Sequence, residues 1–122
     1  MATVLVADDS TDARLLVRVV LESRGHTVME AGDGEDAWVR ASQIIPDLIV
    51  VDLSLPTLAG TELIRRVRGD PNMRRVRVAL YTATTANPAI RDFMRIYGVR
   101  HIVPKPTEPQ ALLEKLEEAL RD

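Results

Sequence analysis

Leu48-Ile49-Val50-Val51-Asp52 is a continuous apolar run that ends on an acid. Four β-type residues with no polar alternation suit a strand covered on both faces, the condition of a parallel sheet packed between helices. The same grammar recurs outward from it. Val4-Leu5-Val6-Ala7 ends on Asp8-Asp9, Val78-Ala79-Leu80-Tyr81 ends on Thr82, and Lys105 stands two residues after His101-Ile102-Val103. Strands are predicted at 3–7, 27–31, 48–51, 77–81 and 100–103. The second, Thr27-Val28-Met29-Glu30-Ala31, alternates and is more polar, which suits a sheet edge.

Five helical segments of about 9 to 15 residues separate and follow these runs, a normal length for α/β crossovers. Leu15, Leu16, Val19 and Val20 mark the first, which Gly25 closes. Ile90, Phe93, Met94 and Tyr97 form a stripe at i, i+3, i+4 and i+7, opened by Asn87-Pro88 and ended by Gly98. Leu112, Leu113, Leu116, Ala119 and Leu120 form another, for which Thr107 and Gln110 have the spacing of a capping box. The expected architecture is one α/β domain over residues 1–122, a three-layer doubly wound (βα)5 fold with a five-stranded parallel sheet. Its common strand order, 2-1-3-4-5, puts the switch-point crevice between the strands that carry Asp8, Asp9 and Asp52. Thr82 and Lys105 then reach the crevice from its other side.

Composition narrows the classes of function. At 122 residues with 46% hydrophobic content, the chain suits a single core and leaves no room for a separate catalytic or DNA-binding domain. The absence of cysteine excludes disulfides, thiol catalysis and zinc-thiolate sites and favours a cytoplasmic protein. No apolar stretch approaches a membrane span, and no basic segment precedes an apolar one at the start, so neither a membrane nor export is expected. A net charge of −2 gives no reason to expect direct nucleic-acid binding. Arg65, Arg66, Arg68, Arg74, Arg75 and Arg77 crowd one stretch without interleaved aromatics, and are read as a solvated helix face and loop. Only Lys105 and Lys115 are lysine among 16 basic residues, which singles out Lys105 as a compact point charge at a strand end.

Three convergent carboxylates repel one another unless a cation lies among them. Mg2+ suits that place, since it takes a few carboxylate oxygens together with water and phosphate oxygens. One carboxylate is then free to attack phosphorus, and Asp52, alone on the central strand, is the candidate nucleophile. Lys105 and the Thr82 hydroxyl are placed to hold phosphoryl oxygens, in a reaction governed by positioning and electrostatics. Singly, each residue has a plainer reading: Asp8-Asp9-Ser10 as a helix cap, Asp52 as a turn residue, Thr82 as a loop hydroxyl, Lys105 as a surface charge. Together at four strand ends they point to phosphoryl transfer.

Asp8-Asp9, Asp52-Leu53-Ser54-Leu55-Pro56 followed by Gly60, Thr82-Ala83 and Lys105-Pro106 resemble the receiver domain of two-component response regulators, in its chemotaxis-receiver form. The likeness spans the whole chain. It implies a flavodoxin-like fold and a phosphorelay role rather than an enzyme's, with Asp52 accepting a phosphoryl group from a sensor histidine kinase or phosphotransfer protein. It also implies Mg2+ held by Asp9, Asp52 and the backbone carbonyl of Ser54, with Asp8 acting through metal-bound water. Thr82 and Lys105 become the pair that senses the phosphoryl group and remodels the face of the fourth helix, fifth strand and fifth helix. That face would serve an output domain, a downstream protein or a second copy of the chain. Starting at Met1 and ending on the fifth helix suits a free-standing receiver or the first module of a longer protein.

The departures are specific. Ile102 replaces the aromatic usual three residues before the family lysine, and His101 beside it should point to the other face. Ala59 replaces a commonly polar residue. Ser54 and Thr84 occupy positions that tune aspartyl-phosphate hydrolysis, which predicts an altered phosphoryl lifetime. Ile102 favours an alternative, a receiver-like interaction module that is not phosphorylated. A haloacid-dehalogenase-type hydrolase would need an acid where Ser54 stands, and no nucleotide-binding fingerprint is present.

Overall fold

The computed structural model describes residues 1–84 and 87–122. Strands β1 (Thr3–Ala7), β2 (Thr27–Ala31), β3 (Leu48–Val51), β4 (Arg77–Thr82) and β5 (His101–Pro104) alternate with helices α1 (Thr11–Glu22), α2 (Gly34–Ile44), α3 (Gly60–Gly69), α4 (Pro88–Ile96) and α5 (Pro109–Arg121). All pairings are parallel, in the order β2-β1-β3-β4-β5. The expected order and edge strand are both present. β4 runs one residue further than expected, taking in Thr82, and β5 lies one residue later, so that Thr82 pairs with Pro104.

Alternation along the strands builds a core on each face of the sheet. Leu5, Ala7, Ile49, Val51, Val78 and Leu80 meet Ala37, Ala41, Leu63, Ile64 and Val67 from α2 and α3. Val4, Val6, Leu48, Val50, Ala79 and Val103 meet Val17, Leu21, Leu112 and Leu116 from α1 and α5. The α4 stripe of Ile90, Phe93, Met94 and Tyr97 lies only partly buried against the first core, and no residue of α4 is fully covered.

Helix ends follow their local chemistry. Asn87 accepts the Ile90 N–H at 2.9 Å with Pro88 in the first turn, and Gly98 follows α4 at φ 66°. Gly25, at φ 85°, ends the turn after α1. The expected Thr107 and Gln110 capping box does not form. Proline disfavours helical backbone in the residue before it, and Glu108, at φ −59° and ψ 146°, is the extended residue ahead of Pro109. The cap therefore shifts to Glu108, and the Thr107 hydroxyl donates to the Pro104 carbonyl instead.

Arg68 also departs from expectation, because it is no solvated face residue. Its guanidinium donates to the carbonyls of Tyr97 at 2.7 Å, Val76 at 2.6 Å and Arg74 at 3.1 Å, tying α3 to the end of α4 and the start of β4. Burial pushes this arginine below its ordinary value. Arg65 lies over the rings of Phe93 and Tyr97, and Arg66 over Trp38, so half of the arginine stretch is packing material.

Candidate functional site

Asp8 leaves β1 and its carboxylate turns back to accept the Ser10 N–H at 2.9 Å. Ser10 in turn caps α1, its hydroxyl accepting the Ala13 N–H at 3.1 Å. Arg14, one turn into α1, donates to the Asp8 carbonyl at 2.7 Å while paired with Glu30. The cap therefore has the helical role that the plainer reading assigns it. The same backbone fixes Asp8 at 1% exposure and leaves Asp9 in solvent.

Asp52 stands at the end of β3, 7% exposed, with its N–H on the Ala7 carbonyl. Its Oδ1 accepts the Ser54 N–H at 3.0 Å and the Thr82 hydroxyl at 2.9 Å, and its Oδ2 accepts the Lys105 ammonium at 2.8 Å. Lys105 also reaches Asp8 Oδ2 at 2.6 Å. The sheet thus brings Asp8, Asp52, Thr82 and Lys105 into one hydrogen-bonded group. Oxygens of Asp8, Asp9 and Asp52 lie within 4.8 Å of one another.

Burial pushes Asp52 upward, but the hydrogen bonds from Lys105, Ser54 and Thr82 outweigh it and hold the carboxyl below its ordinary value. Lys105 answers in kind: burial lowers it, and the bonds to Asp52 and Asp8 carry it above its ordinary value. The cation that the carboxylates require is therefore present within the chain. One ammonium still faces three acids, and Asp9 has no ion-pair partner among the described residues. That hard, all-oxygen set with a spare carboxylate fits a divalent cation such as Mg2+.

The loop from β3 to α3 is braced from α2. Asp33 caps α2 through the Asp36 N–H at 2.8 Å and also accepts the Thr57 hydroxyl at 3.2 Å. Thr57 sits at φ 65°, and its hydroxyl also accepts the Glu35 N–H at 3.1 Å. Only glycine fits at 34, where a Cβ would lie 1.9 Å from the Leu58 carbonyl oxygen. At 60 a Cβ would stand 2.5 Å from the carbonyl oxygen of Asp52. These two contacts press the loop carrying Ser54 against the site.

The sequence reading also missed Tyr81, whose ring lies 5.2 Å from Lys105 Nζ, and Arg14 beneath Asp8. Tyr81 is the last apolar residue before Thr82, a position that could have drawn notice. Arg14 carries no local signal. Ile102 packs partly buried on the α4 side of the sheet. His101 faces the other way as expected, and its Nε2 meets the Asp122 carboxylate. Ser54 and Thr84, the two positions expected to tune hydrolysis, are both exposed. The Thr84 N–H donates to Thr82 Oγ1 at 3.2 Å.

Residues 4–117 match the family model described as the response regulator receiver domain. The chemotaxis protein CheY homolog of Campylobacter jejuni is 30% identical over 118 residues, covering 95% of this chain and 90% of that protein. Protein PilH of Pseudomonas aeruginosa is 28% identical over 120 residues, covering 98% of each. Among solved structures, chemotaxis response regulator CheY4 of Vibrio cholerae superposes with a TM-score of 0.89 at 29% identity, covering 98% of each chain.

Proposed function

The chain belongs to the response regulator receiver domain family, and from that membership we propose that Asp52 is its phosphoacceptor, with Asp8, Asp9, Thr82 and Lys105 as the working site. The observation that carries this reading is the double hold on one carboxylate: Thr82 on Oδ1 and Lys105 on Oδ2. Ionised at neutral pH, Asp52 attacks the phosphorus of a phosphohistidine on a sensor kinase or phosphotransfer protein. An oxygen–phosphorus bond forms, the phosphorus–nitrogen bond breaks, and the imidazole leaves with a proton.

Asp9, Asp52 and the Ser54 carbonyl would hold Mg2+, with Asp8 acting through water. Bound there, Mg2+ would offset the charge of the acids and of the incoming phosphoryl oxygens. Lys105 supplies a second positive charge, already held against Asp8 and Asp52. Once Asp52 carries the phosphoryl group as an acyl phosphate, the Thr82 hydroxyl and the Lys105 ammonium turn toward phosphoryl oxygens, which attract them more strongly than the former carboxylate. Thr82 also accepts the Thr84 N–H, so its departure frees that N–H.

The readout surface is α4, β5 and α5, serving an output domain, a downstream protein or a second copy of the chain. The working unit is one receiver domain over residues 1–122, acting in the cytoplasm as a signalling acceptor and not as an enzyme. Among the described residues, no helix is long and apolar enough to cross a membrane.

Phosphoramidate or acetyl phosphate with Mg2+, followed by intact mass, tests the proposal. A gain of one phosphoryl group that is absent in Asp52→Asn is expected. No gain with any donor would leave the second reading, an unphosphorylated interaction module, which Ile102 favours because no ring is present to follow Thr82 inward.

A further inference from the structure

At the amino ends of β4 and β5, on the side of the sheet away from Asp52, lies a cavity of about 180 Å3. Arg68, Arg74, Arg75, Arg77 and Arg100 line it, and Asp122 is the one acid among the lining residues. No Phe, Tyr or Trp takes part in its wall.

The side chains there are unevenly employed. Arg68 is committed to backbone carbonyls. Arg77 donates to the Asp122 carbonyl at 2.8 Å, and His101 to the Asp122 carboxylate. Arg74, Arg75 and Arg100 are exposed, and among the described residues none of them has an acid within ion-pair distance. In a chain of net charge −2, five guanidiniums around one hollow, three of them without an acid partner among the described residues, are a local excess of positive charge. Like charges around a shared cavity repel, and the repulsion is relieved by an anion among them.

We propose that this cavity binds a small pyrophosphate-bearing anion. The guanidinium fork pairs its N–H groups with phosphate oxygens two at a time, and arginines on several walls match an anion with oxygens on more than one side. The hollow is open to solvent and large enough to admit a diphosphate group among the guanidiniums. With no ring to stack on, a base would remain outside the hollow. Among the lining residues, Arg74 and Arg75 stand on the loop before β4, Arg100 just before β5 and Arg68 on α3. β4 places this hollow about 17 Å from Thr82, at ~3.3 Å per residue, so its occupant is separate from anything bound at Asp52.

Titration with sodium pyrophosphate in buffer free of divalent cations, followed by calorimetry and amide chemical shifts, tests the site. Saturable binding is expected, with shifts at Val76, Arg77, Gly98 and Arg100 and none at Asp9, Asp52 or Lys105. Arg74→Gln and Arg100→Gln, exposed and unpaired, should fold normally and each weaken binding about tenfold, whereas Arg91→Gln on α4 should leave it unchanged. Orthophosphate should bind more weakly than pyrophosphate, and ADP should match pyrophosphate if only the diphosphate enters. The proposal is overturned if shifts concentrate at Asp52 and Lys105, if Arg91→Gln weakens binding equally, or if nothing saturates. Tighter binding to a short DNA duplex, rising with its length, would overturn it in favour of a nucleic-acid backbone contact.

Discussion

Lys105→Met keeps most of the side-chain stem and removes the charge between Asp8 and Asp52. The two carboxylates are 1% and 7% exposed, and among the described residues Lys105 is their one ion-pair partner. Removing one member of a fully buried pair costs about 3–5 kcal/mol. The Lys105 side chain is 19% exposed, so the lower end applies: about 3 kcal/mol at neutral pH, or roughly 10 °C in melting temperature for a chain of this size. The pH dependence follows from the directions of the shifts. Asp52 lies below its ordinary value, so its contribution is present above that value and lost as pH falls through the folded one. Lys105 lies above its ordinary value, so its contribution is present below that value and lost as pH rises through the folded one. Parent and variant should converge at both extremes and differ most between them. Mg2+ should reverse part of the loss. A divalent cation held by the same acids would be repelled by Lys105, and even in bulk water close unit charges repel by on the order of 1 kcal/mol, so the variant should bind Mg2+ more tightly, by about tenfold. Thermal melts in chelator and in Mg2+ across pH measure all of this. Equal melting temperatures in chelator, or equal stabilisation of both proteins by Mg2+, would refute the assignment of Lys105 as the internal cation.

Thr82→Val removes the hydroxyl that bonds both Asp52 and the Thr84 N–H. It should cost about 1–2 kcal/mol in urea unfolding, and phosphoryl transfer should persist while the amide of Thr84 no longer responds to it by NMR. Gly34→Ala drives a Cβ to 1.9 Å from the Leu58 carbonyl oxygen, which should cost about 3 kcal/mol or more. Gly69→Ala at the end of α3 meets nothing within 4 Å and should be neutral or stabilise by about 0.5–1 kcal/mol, so denaturant melts of the two separate steric clash from loss of glycine itself. Arg68→Met strips donors from the carbonyls of Tyr97, Val76 and Arg74. A loss of about 2–3 kcal/mol is expected, with faster hydrogen exchange concentrated at the end of α4.

Strand-borne features were legible because burial on both faces forces continuous apolar runs, and a run can end only where the chain meets the crevice. Leu48 through Asp52 carries both the core and the proposed phosphoacceptor in five residues, and the strand order matches the common one for five parallel strands. What the sequence hides is contact made by groups without a periodic signal. Thr57 holds a left-handed backbone between Asp33 and Glu35, yet nothing in Pro56-Thr57-Leu58 announces it. Arg68 looks the same as Arg65 or Arg75 as a letter, and only the fold shows that one serves carbonyls, one lies on rings and one lines a cavity. Thr107 failed in the opposite sense: its capping spacing was real, and Pro109 overrode it through the backbone of Glu108.

The position of α4 follows from where it is and is not held. None of its residues is fully buried, so packing alone fixes it weakly. Its carboxyl end is tied by Arg68 to the Tyr97 carbonyl and by Arg65 to the Tyr97 hydroxyl and the Phe93 and Tyr97 rings. On the amino side, Thr84 is tied to the site through Thr82 Oγ1. On the proposed function, a shift of Thr82 toward a phosphoryl oxygen frees the Thr84 N–H while the carboxyl end of α4 stays anchored, which favours a pivot of α4 over a translation. Ile102, packed on the same face of the sheet, has no ring to swing, so on the proposed function the Thr82–Thr84 contact is the route by which a change at Asp52 leaves the site.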